Sequence, residues 1–333
     1  MNLSVKTILL LFVMLWANSS FAQSGLKFAN LGDFETSKGE IIKDTKIAYR
    51  TVGKLNAEKS NAVLWPTWFT GTSEQILQWG ILNNTIDTTG LYVIVVDALG
   101  NGVSSSPSNT GKFPQITIRD MVNSQYELLT KHLGIDHLHA VMGISMGGMQ
   151  TYEWLVAYPD FMDKAVAIIG TPRQSFYDIL FWQTQADLIE NAGKNKRKLE
   201  FAMKRVYDLF TMNLYTPDFF HKNVKPENAE EYMKEQYAKM FHHANYLVQL
   251  KAMISHDIYK SANRSIDNID DVVKADLLVV VNKQDHTVNP LNSIAIAKSL
   301  KSKLKVLDTE NGHALPFYDH KQVKMEVVPF LSK

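Results

Sequence analysis

A serine between two glycines gives this sequence its clearest chemical signal. Residues 143–147 read Gly-Ile-Ser-Met-Gly, a GxSxG pattern that places a serine hydroxyl on a tight turn between a strand and a helix. A serine hydroxyl is a poor nucleophile at neutral pH, so it needs a base within hydrogen-bond reach and an acid that orients the base. A plain strand-to-helix turn is the alternative interpretation. A histidine and a carboxylate further along the chain would favour the catalytic one.

Asp285 and His313 follow Ser145 in the order, acid and then histidine, that accompanies a GxSxG serine. Asp285 closes the stretch LLVVVNKQD, and His313 closes KVLDTENGH. Both therefore lie at carboxyl ends of predicted strands, where the loops of a doubly wound sheet converge. We predict that Ser145 is the nucleophile, that His313 is the general base and that Asp285 orients His313.

Two backbone N–H groups are expected to bind the negative charge that develops on the substrate oxygen. Met146 directly follows the nucleophile and begins the predicted helix, whose N-terminal end favours negative charge. The second N–H is expected from the loop after NAVLWPTWF, at Phe69, with Trp68 as its neighbour in the substrate site. Both aromatic residues could instead belong to the core or to the wall of a pocket.

The elements that must position these residues are indicated by apolar runs that alternate with helical patterns, which predicts a parallel α/β sheet. The predicted strands are KIAYRTVG, NAVLWPTWF, LYVIVVDALGNG, HLHAVMGIS, MDKAVAIIGTP, ADLLVVVNKQD and KLKVLDTENGH. From about 174 to 262, long helical patterns rich in methionine and aromatic residues replace the strand patterns. We predict one domain over residues 23–333, with a mostly parallel, doubly wound sheet and a helical cap inserted at about 174–262.

Composition and missing motifs narrow the function further. The 35 basic and 34 acidic residues balance, and the basic ones are scattered, so we expect no nucleic-acid partner. The sequence has no cysteine, no HExxH motif and no histidines clustered with carboxylates, so we expect no disulfide, no metal and no cofactor. The glycines of DALGNGVSSS lack the lysine of a phosphate-binding loop, which favours a tight turn there. That turn contains Asp97, Gly100, Gly102 and Ser104.

The first residues have the pattern of a secretory signal peptide. Lys6 precedes a ten-residue apolar run from Ile8 to Ala17, and small and polar residues lead to Ala22. A membrane-spanning helix needs about 20 apolar residues, so the run is short for a stable anchor. We predict cleavage of residues 1–22 and export of the chain, to the periplasm or outside the cell, with no stable membrane anchor after processing. An uncleaved anchor is the alternative.

With these residues placed, the chain resembles the homoserine O-acetyltransferase family of α/β-hydrolases. The segments that carry the resemblance are IAYRTVGKLNAEKSNAVL, FPQITIRDMV, LGID and GISMGGMQTYEWLVAYPD, in that order. In that family, the catalytic serine takes an acetyl group from acetyl-CoA and passes it to the homoserine hydroxyl. The resemblance implies that Ser145, Asp285 and His313 form the triad and that Arg173 lies near the substrate carboxylate. It also implies a possible homodimer formed through the cap.

Two departures from that family favour water over an amino acid as the acyl acceptor. The family usually has an aspartate directly after the catalytic histidine, where it holds the substrate amine, and this sequence has Ala314. The family's HALTG loop reads TWFTG here, which places bulky aromatic residues near the acyl group. Acetyl-CoA is, moreover, a cytoplasmic metabolite that an exported enzyme would rarely meet.

We therefore predict an exported serine hydrolase that cleaves an ester or related acyl bond of a small-molecule substrate through an acyl-enzyme. One alternative is a CoA-dependent O-acyltransferase of the homoserine O-acetyltransferase type. The other is a non-catalytic binding protein built on a hydrolase scaffold.

Overall fold

An eight-stranded sheet forms the centre of the computed structural model, which describes residues 25–238 and 240–332. The predicted signal peptide, residues 1–22, lies outside the described residues, and the predicted division into domains stays a prediction. The strands are β1 Lys27–Glu35, β2 Ile41–Gly53, β3 Ala62–Pro66, β4 Tyr92–Val96, β5 Leu138–Ile144, β6 Met162–Ile168, β7 Asp276–Asn282 and β8 Lys303–Leu307.

The sheet has the strand order β1-β2-β4-β3-β5-β6-β7-β8. All neighbours from β4 to β8 pair in parallel, whereas β1–β2 and β2–β4 pair antiparallel. This confirms the prediction of a mostly parallel α/β sheet. The sequence reasoning missed β1, whose pairing with β2 is interrupted by register shifts between Asn30 and Phe34. Such bulges break the strict alternation that reveals a strand in sequence.

Helices cover both faces of the sheet. In chain order they are α1 Ser73–Gln78, α2 Ile81–Thr85, α3 Ile118–Glu127, α4 Met146–Ala157, α5 Phe176–Ala192, α6 Lys196–Leu214, α7 Pro217–Asn223, α8 Ala229–Tyr237, α9 His243–Ile254, α10 Ile258–Ala262, α11 Leu291–Ser299, α12 Leu315–Tyr318 and α13 His320–Leu331. Successive residues of β4 pack into two separate clusters, Ile94 into one and Val93 and Val95 into the other. A strand buried on both faces accounts for its uninterrupted apolar sequence.

Helices α5–α10 occupy the connection between β6 and β7, and we refer to them as the cap helices. The first of them begins at a capping box, in which the Ser175 and Asp178 side chains each accept a hydrogen bond from the other residue's backbone N–H. Capping of this kind fixes where α5 begins after the β6 loop. Within residues 25–238 and 240–332, no helix combines the length and apolar character needed to cross a membrane.

Candidate active site

The turn that carries Ser145 joins β5 to α4. Ser145 has φ 57° and ψ −119°, a backbone conformation that side-chain-bearing residues rarely adopt and that concentrates at functional sites. Glycine is required on both sides of it. A Cβ on Gly143 would lie 2.3 Å from the Gly147 carbonyl oxygen, and one on Gly147 would lie 2.6 Å from the Pro66 carbonyl oxygen. The close packing of these backbone segments leaves the Ser145 side chain facing the cavity at the carboxyl end of the sheet.

Ser145, His313 and Asp285 form one chain of hydrogen bonds. The Ser145 hydroxyl lies 2.8 Å from His313 Nε2, and His313 Nδ1 lies 2.7 Å from Asp285 Oδ2. His313 and Asp285 are each 6% exposed. When Nδ1 carries the imidazole proton and donates a hydrogen bond to the carboxylate, the lone pair of Nε2 is free to accept the serine proton. The structure thus brings together the three residues that were predicted to act together, although 168 residues separate Ser145 from His313.

The second carboxylate oxygen of Asp285 is also occupied. Asp285 Oδ1 accepts hydrogen bonds from the backbone N–H groups of Thr287 and Val288, both at 2.9 Å. These bonds leave Oδ2 to face His313. An ionised carboxylate with an N–H donor on each oxygen is suited to orient an imidazole and to stabilise its positive charge.

Asn282, at the end of β7, connects the loop that carries the acid to the loop that carries the histidine. Its side-chain amide donates to the carbonyl oxygens of Gly312 at 2.8 Å and Thr309 at 3.0 Å, and its Oδ1 accepts from the Thr309 N–H at 3.1 Å. Asn282 is fully buried, so these bonds are shielded from competing water. The sequence reasoning did not identify Asn282, although it lies three residues before Asp285 in the motif-bearing strand.

The 67–71 loop after β3 lies against the first turn of α4. The Gln150 amide donates to the Thr67 carbonyl at 3.0 Å and to the Met146 carbonyl at 3.2 Å, which joins the two segments. Met146 is the first residue of α4, so its N–H has no partner within the helix. Phe69 lies in the same loop and lines the cavity that contains Ser145. The predicted donors therefore come from two segments that one buried side chain holds together.

Gln249, on α9, fixes the 67–71 loop from the cap side. Its Oε1 accepts the Thr70 N–H at 2.9 Å, and its Nε2 donates to the Leu99 carbonyl at 3.0 Å. Thr70 has a φ of 60°, and its hydroxyl donates to the Phe69 carbonyl at 2.6 Å. The Phe69–Thr70 peptide is thus held at both ends. No sequence motif marks Gln249, because its partners lie 179 and 150 residues away along the chain.

A cavity of about 290 Å³ opens at Ser145 and His313. Its volume is at the lower end of the range of roughly 300–1,000 Å³ that is usual for small-molecule sites. Aromatic residues dominate its wall, and no lysine, arginine, aspartate or glutamate is among the described residues that line it. The aromatic residues of the lining are Trp68, Phe69, Trp79, Trp182, Tyr207, Phe210, Phe241, Tyr246 and Phe317. The cavity is therefore suited to a small, uncharged molecule.

Arg173, expected near the substrate carboxylate, and Ala314, at the position of the family's amine-binding aspartate, lie outside the described lining. Arg173 is exposed on a separate surface depression, where its guanidinium lies over the Tyr259 ring at 5.3 Å from the centroid. Arg173 does not line the Ser145 cavity, so its position does not support a contact with a substrate carboxylate bound there. Ala314 is buried beside His313 and offers no polar side-chain atom to a substrate amine. Trp68 and Phe69, in contrast, both line the cavity.

Two buried carboxylates outside the Ser145–His313–Asp285 chain hold neighbouring loops. Asp97 accepts hydrogen bonds from the Ser73 hydroxyl at 2.6 Å and from the Ser73 N–H at 2.8 Å. Asp178 accepts from the N–H groups of Asn289 at 2.9 Å and Ser175 at 2.8 Å, which connects α5 to the loop after Asp285. Burial raises the pKa of both carboxyl groups, and hydrogen bonds oppose this effect.

Comparison with known proteins identifies relatives of this chain. The alpha/beta hydrolase fold family matches residues 66–320. An ethyl acetate hydrolase of Pseudomonas veronii is 37% identical over 233 residues, which cover 63% of this chain and 67% of the relative. A homoserine O-acetyltransferase of Methanosphaera stadtmanae is 27% identical over an alignment of 356 positions, gaps included, which covers 90% of this chain and 72% of the relative. The crystal structure of an acetylester hydrolase from Corynebacterium glutamicum matches with a TM-score of 0.84 at 26% identity, over 93% of this chain and 96% of that one.

These matches confirm the fold and the resemblance inferred from sequence, and they show that the chain is an enzyme of the hydrolase or acyltransferase type. They include both esterases and homoserine O-acetyltransferases. Both groups act on acyl groups, and the acyl acceptor is what separates them. The chain belongs to the α/β-hydrolase fold family and is similar, within it, to the homoserine O-acetyltransferases and their esterase relatives.

Proposed function

We propose that this chain is a serine esterase that hydrolyses small, uncharged esters, acetyl esters among them, through an acyl-enzyme on Ser145. The observation that carries the proposal is the Ser145–His313–Asp285 chain of hydrogen bonds, which opens on a cavity without a charged residue in its described lining. The ethyl acetate hydrolase and acetylester hydrolase relatives support the acetyl group as one acyl portion.

In the proposed mechanism, the Ser145 hydroxyl gives its proton to His313 Nε2 while its oxygen attacks the ester carbonyl carbon. The N–H groups of Met146 and Phe69 bind the oxyanion of the tetrahedral intermediate. The intermediate collapses, the bond to the alcohol oxygen breaks, and His313 protonates the departing alcohol. Water then attacks the acyl-enzyme with His313 again as base, which releases the acid and restores Ser145. Asp285 orients His313 and stabilises the imidazolium that forms.

Hydrolysis is favoured over transfer to an amino acid by the chemistry of the cavity wall. A zwitterionic acceptor such as homoserine would lose the hydration of its ammonium and carboxylate groups on entering. Burial of a charge is costly unless an opposite charge or several hydrogen bonds replace the water. Ala314 and Arg173, which both lie outside the described lining of the cavity, provide neither. An uncharged ester incurs no such cost.

A CoA-dependent O-acyltransferase is the second candidate, favoured by the homoserine O-acetyltransferase match over 90% of the chain. The two functions are separated by incubating the purified full-length chain with ethyl acetate alone and with acetyl-CoA plus homoserine. Acetate and ethanol from the first reaction, without acetylhomoserine from the second, would support the esterase. Acetylhomoserine as the main product would overturn it. The Ser145→Ala variant, purified in the same way, controls for a contaminating esterase.

We also propose that the chain is exported and that residues 1–22 are removed. The support is the leader sequence alone, with its single lysine, its short apolar run and its small residues before position 23. Fractionation of a Gram-negative expression host, followed by N-terminal sequencing, tests this proposal. A periplasmic or secreted chain that begins at Gln23 is expected, and an unprocessed chain in the cytoplasm would contradict it.

A further inference from the structure

Three aromatic side chains form a cluster where the cavity opens to solvent. Trp68, Trp79 and Phe317 all line the cavity that contains Ser145. Their ring centroids lie 6.3 Å apart for the tryptophan pair, 5.9 Å for Trp68 and Phe317, and 6.2 Å for Trp79 and Phe317. Trp79 is 56% exposed and Phe317 is 38% exposed. We call these three residues the rim cluster. Their exposed apolar surface contributes little to folding, because burial is what makes apolar surface stabilising.

Another part of the cavity wall is buried and also aromatic. Phe69, Trp182 and Tyr246 are 6%, 1% and 2% exposed. Phe69 contacts both other rings edge-on, with centroids 5.8 Å from Trp182 and 4.6 Å from Tyr246. Rings from two cap helices and the 67–71 loop therefore close this side of the cavity. These three buried rings form a closed end of the cavity, and the rim cluster forms an exposed part of its wall.

The order of events in the proposed reaction assigns a part of the ester to each end. The alcohol leaves first, while the acyl group is still bonded to Ser145, so the alcohol needs a route to solvent that the acyl group does not block. Among the aromatic residues of the described lining, Trp79 and Phe317 of the rim cluster are exposed, as is Phe241, which lies against Tyr207 of the cap helices. The rim cluster, through Phe317, is the exposed part that follows the catalytic histidine along the chain. Phe317 lies four residues after His313, the group that protonates the alcohol. The acyl group then occupies the closed end.

We propose that the rim cluster is the binding site for the alcohol portion of the ester, and that it takes an uncharged alcohol with a flat aromatic ring. The inference rests on the proposed esterase function and specifies its substrate class. Aromatic rings attract one another through edge-to-face and offset contacts beyond their burial, and three such rings surround this opening. A sugar would need several hydrogen-bond partners. The nearby Gln75 already accepts the Thr72 N–H through Oε1 and is thus partly occupied.

The test compares two acetate esters that differ in ring shape and share a leaving-group type. These are 2-phenylethyl acetate, whose ring is flat, and 2-cyclohexylethyl acetate, whose ring is puckered. We expect the wild-type chain to prefer the flat ester in kcat/KM by about 3- to 10-fold, the selectivity that an aromatic contact provides. Trp79→Ala should reduce that ratio at least threefold, and Phe317→Leu should reduce it as well.

Phe28→Ala is the matched control, because Phe28 is 54% exposed, similar to Trp79, and lies on β1 outside the Ser145 cavity. It should keep the wild-type ratio. A ratio near one in the wild type, or a ratio unchanged in both rim variants, would overturn the proposal. Calorimetric titration of the Ser145→Ala chain with 2-phenylethanol and 2-cyclohexylethanol tests the same preference without catalysis. A preference for 2-phenylethanol that Trp79→Ala abolishes would support the rim cluster even if no ester were hydrolysed, and equal binding of the two alcohols would count against it.

Discussion

Replacing Gln249 with alanine tests whether the cap helices hold the 67–71 loop, the proposed source of one oxyanion donor, in place. The variant removes the acceptor of the Thr70 N–H and the donor to the Leu99 carbonyl, which lie at 2.9 Å and 3.0 Å in the structure. Neither Ser145 nor His313 contacts Gln249 through a hydrogen bond in the structure described. The variant should therefore affect the 67–71 loop and leave the Ser145–His313–Asp285 chain intact.

The expected loss can be bounded from the geometry. Complete removal of one oxyanion-hole donor costs about 10²- to 10³-fold in kcat. Gln249→Ala leaves the Phe69 N–H in the chain but releases the Phe69–Thr70 peptide, in which Thr70 is held at a φ of 60° that costs about 1–3 kcal/mol. The Phe69 N–H belongs to the preceding Trp68–Phe69 peptide, so relaxation of this strain would draw it away from the oxyanion by shifting the 67–71 loop. We expect kcat to fall about 10- to 100-fold with little change in KM, and unfolding free energy to fall by about 1–3 kcal/mol for two lost buried hydrogen bonds.

The assay measures kcat and KM for ethyl acetate hydrolysis, together with urea unfolding. Gln115→Ala is the matched control, because the Gln115 amide donates to the Val248 carbonyl on the same helix at 3.0 Å and has no hydrogen bond to the 67–71 loop. It should lose stability to a similar degree and keep kcat within about threefold. A folded Gln249→Ala chain with wild-type kcat would refute the reasoning. An equal loss of kcat in both variants would assign the effect to general loosening of the cap.

Three further predictions follow from single positions. Gly147→Ala should destabilise the chain by about 1–3 kcal/mol and lower kcat, because its Cβ would lie 2.6 Å from the Pro66 carbonyl oxygen. Urea unfolding and an activity assay test this, with Gly111→Ala as the control, because a Cβ on Gly111 meets nothing within 4 Å. Arg173→Ala should change kcat/KM for ethyl acetate less than threefold, since its guanidinium lies over Tyr259; a tenfold loss would place it in the substrate site after all. Burial raises the pKa of Asp178 in the folded chain. The stability that comes from this raised pKa is therefore fully present below the ordinary aspartate pKa of about 4, and it is lost as pH rises through the higher pKa of the folded chain. Urea unfolding across that range should therefore show the wild type losing stability relative to Asp178→Asn as pH rises, and a constant difference would contradict the assignment.

The central sheet could be predicted because its strands are buried on both faces and thus read as unbroken apolar runs. β4 has this property throughout, β7 has it between its terminal polar residues, and β5 and β6 have it after one or two polar residues near their starts. β1 has a mixed pattern of exposed and buried residues and carries two register shifts, so neither alternation nor an apolar run marks it. Its pairing with β2 depends on the rest of the fold and leaves no pattern in its own sequence.

That Ser145, Asp285 and His313 lie together could be predicted because each follows a strand and because their order along the chain matches that of a GxSxG triad. The residues that hold them could not. Asn282 and Gln249 act through hydrogen bonds to backbone groups of distant segments, and a buried amide has no spacing rule that reveals its partners. Arg173 shows a different limit of sequence reasoning. Its expected place near the substrate came from the family resemblance, which does not determine the direction of the side chain, and the structure places its guanidinium over Tyr259.

The most direct test of the proposed mechanism is to find the acyl-enzyme. The wild-type chain is mixed rapidly with p-nitrophenyl acetate, quenched in acid during the first turnovers, digested, and analysed by mass spectrometry. The account predicts one acetyl group on the peptide that contains Ser145, and none on that peptide in the Ser145→Ala chain, which should also lose hydrolysis. Undiminished hydrolysis by Ser145→Ala, or an acetyl group carried instead by another residue on the productive path, would contradict it.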